Sequence, residues 1–201
     1  MTTMAFTPKD VQELRRRTGA GMMECKRALE ETAGDMEKAV EYLRTRGIAK
    51  AEKRAGRATS EGVITSYIHP PGKIGALVEL NCETDFVART DDFKTLAREI
   101  AMHIASAAPL AVDKDGVPAE VVERERRIAE EQVRASGKPE HLVSKIVEGK
   151  LEAYYKQVAL LSQPWIREDK KTIGDLVNEA SSKLGENVQV RRFVRFQMGE
   201  E

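Results

Sequence analysis

Apolar positions in the first part of the chain recur at the period of amphipathic helices. Thr7 can cap a helix that begins at Pro8, with Val11 and Leu14 on its apolar face. Two further stripes follow at spacings of three and four residues. They are formed by Met22, Cys25 and Leu29, and by Met36, Ala39, Val40 and Leu43. The pattern predicts a three-helix bundle over residues 1–48.

The periodicity is lost in the next segment, which is rich in basic residues. Lys50, Lys53, Arg54 and Arg57 lie among alanine and glycine. Two interpretations stay open, a solvated helical extension or linker, and a contact with an acidic partner surface or RNA. We assign residues 49–61 as a basic linker.

Three segments have the character of β-strands. Residues 62–68 are rich in β-branched and aromatic side chains, and residues 74–82 begin with an apolar run, with a loop at 69–73 between them. Residues 188–196 alternate in part and are expected to join the same antiparallel sheet. Because these strands are combined with several helices, the pattern predicts an α+β core over residues 62–201.

Helical patterns fill the chain between the strands. The clearest stripe consists of Phe93, Leu96, Ala97, Ile100, Ala101 and Ile104. Two long patterns flank the turn residues 136–139 and predict a helical hairpin, or short coiled coil, over about 119–161. Its apolar positions are Val121, Val122, Ile128 and Val133, then Val143, Val147, Leu151, Tyr154, Val158 and Leu161. A further helix is expected near Thr172 to Leu184.

Composition narrows the class of protein. The chain has 201 residues, and its 33 Lys plus Arg balance its 33 Asp plus Glu, which argues against a protein that acts mainly on nucleic acid. No apolar run has the length of a membrane span, and the start lacks the plan of a signal peptide. We therefore expect a cytoplasmic protein whose two cysteines, Cys25 and Cys82, stay thiols and pack as small buried hydrophobes.

The motifs that name a reaction are missing from the sequence. The three histidines have no HExxH spacing, and no phosphate-binding loop or GxSxG turn occurs. The sequence therefore predicts a protein that is not an enzyme, with no metal site and no cofactor.

The most informative segment is Asn81–Arg89, at a predicted turn from strand to helix. It places the carboxylate of Asp85 beside the aromatic ring of Phe86, where a chain can present side chains to a partner. The alternative is structural, because an Asp near a helix start often caps it and a Phe is often part of the core.

A second motif, Arg17–Leu29, lies far from this segment in the sequence. Together the two motifs resemble bacterial elongation factor Ts in its short form, and the resemblance covers nearly the whole chain. The further matches are Ile100–Ala105, Ser136–Pro139, Val147–Lys150 and Phe193–Phe196.

The resemblance implies a fold and a function. The fold is a ubiquitin-associated-like (UBA-like) N-terminal bundle followed by an α+β core. The function is guanine-nucleotide exchange in translation elongation, by binding elongation factor Tu and promoting GDP release. The short form is expected to be a homodimer, which here would be non-covalent or built differently, because no cysteine follows Cys82.

The resemblance also implies site residues. Thr84, Asp85, Phe86 and Val87 match the family segment that disturbs the magnesium site of elongation factor Tu. Met22, Met23 and Lys26 match the N-terminal docking region. Ile74, Gly75 and His103 resemble contacts of the core, although a helix histidine satisfied by its neighbours is the alternative for His103.

Two other functions compete with exchange. One is an RNA-binding translation protein that uses the basic residues around 50–57, and its affinity would fall steeply with salt. The other is a helical adaptor that uses the hairpin and has no effect on GDP release.

Overall fold

The structure is a computed structural model that describes residues 6–200, except for the side chains of Ile48 and residues 50–52. The elements along this part of the chain are α1 (Pro8–Thr18), α2 (Met22–Glu31), α3 (Met36–Arg54), β1 (Glu61–His69), β2 (Ile74–Cys82), α4 (Asp85–Ala88), α5 (Asp91–Ala107), α6 (Ala119–Ala135), α7 (Glu140–Val158), β3 (Pro164–Trp165), β4 (Glu168–Thr172), α8 (Ile173–Leu184) and β5 (Gln189–Gln197). Short 3-10 turns lie at Lys114–Gly116 and Leu160–Ser162. The predicted α+β class is confirmed.

These elements group into two compact units. The first consists of the described residues up to Val63, together with Asn81–Leu96 and Val177–Gln189. The second consists of Ile64–Leu80, Ala97–Leu176 and the described residues from Val190 onward. The predicted division into a bundle over residues 1–48, a linker over 49–61 and a core over 62–201 stays a prediction.

The N-terminal bundle has a small apolar core and well-formed helix caps. In the first cap, the Thr7 N–H donates to Asp10 Oδ2 over 2.7 Å and the Asp10 N–H donates to Thr7 Oγ1 over 3.4 Å. In the third helix, Asp35 Oδ1 accepts from the Lys38 N–H at 3.0 Å. The buried core consists of Val11, Leu14, Cys25, Ala28, Leu29 and Ala39. The three predicted helices are thus present.

Helix α3 extends further than the predicted bundle. It runs without interruption through Gly47 to Arg54, so residues 49–54 of the assigned linker are helical. A glycine inside a helix costs only about 1 kcal/mol relative to alanine, which neighbouring turns can offset. The helical-extension interpretation is therefore correct for this part of the segment.

The main sheet has three strands in the order β1–β2–β5 and is antiparallel. Strand β2 alternates from Ala76 onward, with Ala76, Val78 and Leu80 buried and Leu77 exposed. The predicted recruitment of the C-terminal strand to this sheet is confirmed. In the second unit, Arg195 of β5 also donates to the Ala105 carbonyl of α5 over 3.2 Å.

Helices α6 and α7 form the predicted antiparallel hairpin around their own apolar core. Its buried residues are Ala129, Val133, Val143, Val147 and Leu151. Lys150 donates to Gln132 Oε1 across the hairpin at 2.7 Å. The sequence analysis was wrong about Ile128, which is 40% exposed, while the neighbouring Ala129 is buried. A small residue at the seam takes the position that the larger apolar residue was expected to fill.

A short hairpin, β3–β4, was missing from the sequence analysis. Its strands pair antiparallel through Pro164 with Thr172 and through Trp165 with Glu168. Strand β4 is mostly charged, and such residues are depleted in strands, so its local pattern gave no strand signal. After this hairpin, Thr172 and Asp175 form a reciprocal cap that starts α8, as expected near this position.

Candidate partner-binding site

The turn after β2 is built by two threonine caps. Thr84 Oγ1 accepts from the Val87 N–H at 3.4 Å and caps the short helix α4. Thr90 Oγ1 donates to the Val87 carbonyl over 2.8 Å and accepts from the Phe93 N–H at 3.3 Å, at the start of α5. The caps are therefore threonines, and the expectation that Asp85 caps this turn is wrong.

Phe86 is the most exposed large apolar side chain on the described residues, with 80% of its surface accessible. The interpretation of Phe86 as a core residue is therefore wrong. Two residues further on, Ala88 is buried, so this short helix directs its aromatic residue outward and its small residue inward. An accessible aromatic on an ordered turn can fill an apolar slot on another protein.

Asp85 forms an ion pair on the same turn. Its Oδ2 atom lies 2.8 Å from Arg89 Nη2, and 43% and 78% of the two side chains are accessible. An exposed pair at this helical spacing contributes little to stability, because water screens it. The carboxylate thus remains accessible beside Phe86.

A carboxylate from the other end of the chain holds this turn. The backbone N–H groups of Glu83 and Thr84 both donate to Glu186 Oε2 over 3.0 Å. The Thr84 hydroxyl donates to Glu186 Oε1 over 2.6 Å. In return, Glu83 Oε1 accepts from the Asn187 N–H at 2.6 Å. Sequence reasoning missed Glu186 and Asn187, since nothing local distinguishes them from ordinary loop residues.

Cys82 lies beneath the turn as a buried thiol. Its Sγ donates to the Thr84 carbonyl over 3.2 Å. Burial, reinforced by the negative charge of Glu186, raises the pKa of Cys82 to about 11. The thiol therefore stays protonated at neutral pH, and the expected role of a small buried hydrophobe is confirmed for Cys82 and for the buried Cys25.

Two basic side chains of the segment 49–61 contact other residues of the first unit. Arg57 Nη1 lies 3.5 Å from Glu83 Oε1, and Arg54 Nη1 donates to the Ser181 carbonyl over 3.3 Å. The Asn187 side chain donates to the carbonyls of Ala55 and Arg57. The side chain of Lys50 lies outside the described residues. Arg54 and Arg57, two of the basic residues considered for contact with RNA or a partner, thus bind other residues of this chain.

The predicted N-terminal docking residues lie at the start of α2. Met22 and Met23 are 41% and 68% exposed, so Met22 does not belong to the buried stripe in which it was also expected. Lys26 Nζ lies 3.8 Å from Glu30 Oε1, and the lysine side chain is 42% accessible. Flexible methionines beside a cation form a surface that can adapt to a partner.

His103 is fully buried in the second unit. The Gln163 amide NH₂ group donates to the carbonyls of Ala107 and Gln157, at 3.3 and 2.6 Å. Its oxygen therefore faces His103 Nε2, 2.9 Å away, so this nitrogen carries the proton. Burial lowers the pKa of His103, although the bond to Gln163 opposes the shift. A partner contact through His103 stays a prediction, and the geometry supports a packing role.

Ile74 and Gly75 lie where β2 begins, next to a groove on the sheet. Ile74 is half-buried and Gly75 is buried. A Cβ atom on Gly75 would lie 2.7 Å from Ile68 Cδ1, so the glycine leaves room for that side chain. Four exposed apolar residues line the groove, and we call them the apolar sheet face. They are Ile68, Leu77, Phe196 and Met198.

Comparison with known proteins identifies the class of protein to which this chain belongs, the bacterial translation elongation factors. The family model described as Elongation factor TS matches residues 2–200. The chain therefore belongs to the elongation factor Ts family, as the sequence motifs indicated.

Curated relatives agree along nearly the whole chain. The chain is 57% identical to Elongation factor Ts of Carboxydothermus hydrogenoformans over 195 residues, which cover 97% of this chain and 90% of the relative. It is 56% identical to Elongation factor Ts of Fervidobacterium nodosum, over 98% of this chain and 100% of the relative. It is 55% identical to Elongation factor Ts of Nitratidesulfovibrio vulgaris, over 98% of this chain and 99% of the relative.

None of the helices formed by the described residues is both long enough and apolar enough to cross a bilayer.

Proposed function

We propose that this protein is the guanine-nucleotide exchange factor of elongation factor Tu, and that it promotes GDP release in the cytoplasm during translation elongation. It acts by binding and is not an enzyme. The observation that carries the proposal is the exposure of Phe86, 80% accessible on an ordered turn, in a chain of the elongation factor Ts family.

The mechanism follows from binding equilibria. A factor that accelerates release must bind the nucleotide-free GTPase more tightly than the GDP-bound one, since equal affinity for both states shifts nothing. By linkage, GDP weakens binding of the factor as much as the factor weakens binding of GDP.

The turn after β2 supplies the groups for this step. Phe86 fills an apolar slot of elongation factor Tu, which removes its large exposed surface from water. Asp85 then brings a carboxylate to the polar network around the magnesium ion that holds GDP. Thr84 caps the turn, and the Val87 N–H completes the cap, so these two residues keep Asp85 and Phe86 in place.

We further propose that Met22, Met23 and Lys26 dock on the GTPase. A deletion before Gly47 is a poor test, because it would cut through α3. Substitution of Met23 by Ala and of Lys26 by Glu leaves the bundle core intact and should weaken binding. Lys38→Glu, at another exposed lysine of the bundle, is the matched control. Binding of both variants as tight as that of the natural chain would contradict the docking role.

Ile74, Gly75 and His103 are proposed as the contribution of the core. Gly75 and His103 are buried, so they act by shaping the surface rather than by touching the partner directly. Ile74 is accessible enough to make the contact itself.

We propose that the apolar sheet face is covered by a second copy of this chain. Its residues are 44–73% exposed, and monomeric proteins rarely leave a contiguous apolar patch of this kind open. A two-fold axis lets the same patch pair with itself. Phe196→Glu should convert a dimer to a monomer in light scattering, whereas Ile128→Glu on the hairpin should not. A natural chain that is monomeric at micromolar concentration would contradict the proposal.

Stopped-flow release of fluorescent GDP from elongation factor Tu tests the main proposal. The natural chain should accelerate release, Phe86→Ala should abolish most of the acceleration, and Ile128→Ala, at another exposed apolar residue, should retain it. The absence of acceleration by the natural chain would contradict the function. Binding to RNA that falls steeply with salt would instead favour the RNA-binding alternative.

A further inference from the structure

We propose that Glu186 is the positioning residue of the exchange site. Its carboxylate fixes the backbone from which Phe86 projects, in advance of any partner. This inference rests on the proposed function, and it concerns a residue that contacts the turn rather than elongation factor Tu.

Glu186 accepts three hydrogen bonds from the turn. One carboxylate accepts from two consecutive backbone N–H groups, those of Glu83 and Thr84, and from the Thr84 hydroxyl. Hydrogen bonds to an ionised acceptor are about twice as strong as those between neutral groups. Glu186 therefore fixes both residues that immediately precede α4.

The orientation of the Thr84 hydroxyl links Glu186 to the cap of α4. A hydroxyl has one proton, and here it points to Glu186 Oε1, 2.6 Å away. A lone pair of the same oxygen is then left for the Val87 N–H, at 3.4 Å. The carboxylate thus sets the cap of α4, and Phe86 lies inside the capped segment.

Glu186 and the residue that follows it are themselves held by hydrogen bonds. Its own carbonyl accepts from Ser181 Oγ at 2.6 Å. The next residue, Asn187, donates its N–H to Glu83 Oε1 and its side-chain amide to the carbonyls of Ala55 and Arg57. The loop that carries Glu186 is therefore tied both to α8 and to the chain after α3.

The Phe86 side chain receives little support from packing. With 80% of its surface accessible, the ring has little protein packed against it, so its position depends on the backbone beneath it. A group that is already fixed in its binding position does not lose conformational entropy when it docks. Loss of Glu186 should therefore reduce exchange even if the chain remains folded.

The experiment combines amide hydrogen exchange on the free protein with GDP release from elongation factor Tu. The variants are Glu186→Ala, Glu186→Gln, Phe86→Ala and the double variant Glu186→Ala/Phe86→Ala. Glu140→Ala, which removes an exposed ion-pair partner on the hairpin, is the matched control. Thermal melts establish the temperature at which every variant is folded.

In the free protein, Glu186→Ala should lose protection at the amides of Glu83, Thr84 and Val87 only. At saturating factor, its maximal GDP-release rate should fall by at least about 10-fold, since a misplacement of about 1 Å can cost about 100-fold in rate. Glu186→Gln should recover much of the rate, because its oxygen can accept from the two N–H groups while its NH₂ group donates to Thr84. In the Phe86→Ala background, removal of Glu186 should have no further effect.

Three results would overturn the proposal. They are unchanged amide protection in Glu186→Ala, an unchanged maximal rate, and a full additive loss in the double variant. If the natural chain does not accelerate GDP release, it is the proposed function that fails. The amide-exchange measurement then still decides whether Glu186 holds the turn.

Discussion

Phe86 and Phe93 lie in neighbouring helices and have opposite environments. Phe86 in α4 is 80% exposed, whereas Phe93 in α5 is completely buried. Both follow a threonine cap, Thr84 in one case and Thr90 in the other. The local sequence therefore begins both helices in the same way, and the difference arises from what holds each helix afterwards.

Helix α5 is held by apolar burial, since Phe93 continues into a stripe that includes Ile100 and Ile104, all fully buried. The turn with Phe86 is held instead by polar bonds to Glu186. Polar anchoring of the backbone leaves the aromatic ring free for a partner. If apolar packing held this turn, the ring of Phe86 would have to be buried to provide it.

The largest expected effect concerns Phe93. Phe93→Ala empties a fully buried aromatic site and should lower the free energy of unfolding by about 3–5 kcal/mol. Denaturant unfolding followed by circular dichroism measures it. A loss below 1 kcal/mol would mean that the apolar stripe does not hold α5.

Gln163→Ala should have the next largest effect. It removes the oxygen that accepts from the buried His103 Nε2, together with the NH₂ group that donates to the carbonyls of Ala107 and Gln157. Leaving a buried polar group unpaired costs about 1–3 kcal/mol. Gln132→Ala, at an exposed glutamine of the hairpin, is the control. Equal losses for the two variants would contradict a structural role for the buried pair.

A smaller effect should appear as a dependence on pH. Burial lowers the pKa of His103 below its ordinary value of 6.5, so the unfolded chain takes up the proton more readily than the folded one. The stability from neutral His103 is complete above pH 6.5 and falls as the pH drops through that value toward the folded pKa. Unfolding at pH 7.5 and 5.5 should differ less in His103→Gln than in the natural chain. An equal dependence on pH in the two proteins would contradict this role of His103.

The smallest effect on stability is expected at Phe86. Phe86→Ala should change the free energy of unfolding by no more than about 0.5 kcal/mol, as at other surface positions. GDP release from elongation factor Tu should nevertheless lose most of its acceleration. A destabilised variant whose folded fraction still exchanges GDP normally would return Phe86 to a structural role.

Sequence patterns predicted the elements that local periodicity determines. The stripe of α5 and the N-terminal caps were predicted because spacing and cap chemistry act over a few residues. Sequence patterns failed where contacts with a neighbouring strand or helix determine the structure. Strand β4 carries charged residues that favour no strand, and Ile128 was preferred to Ala129 because size, rather than fit, guided the assignment.

The candidate site was predictable only in part. The motif around Phe86 came from resemblance to a family, while periodicity alone left a core role open. Glu186 lies 102 residues from Thr84 in the sequence, and no local signal links two residues at that distance. Its part in the turn depends on the folded path of the chain.

That separation has a consequence for the order of synthesis. Thr84 leaves the ribosome long before Glu186 is added, so the nascent chain carries Phe86 on a turn that lacks its anchoring carboxylate. The turn is completed only when the last part of the protein has emerged. A product that terminates before residue 186 would retain Asp85, Phe86 and the N-terminal helices. It would lack the three hydrogen bonds that fix the turn from which Phe86 projects.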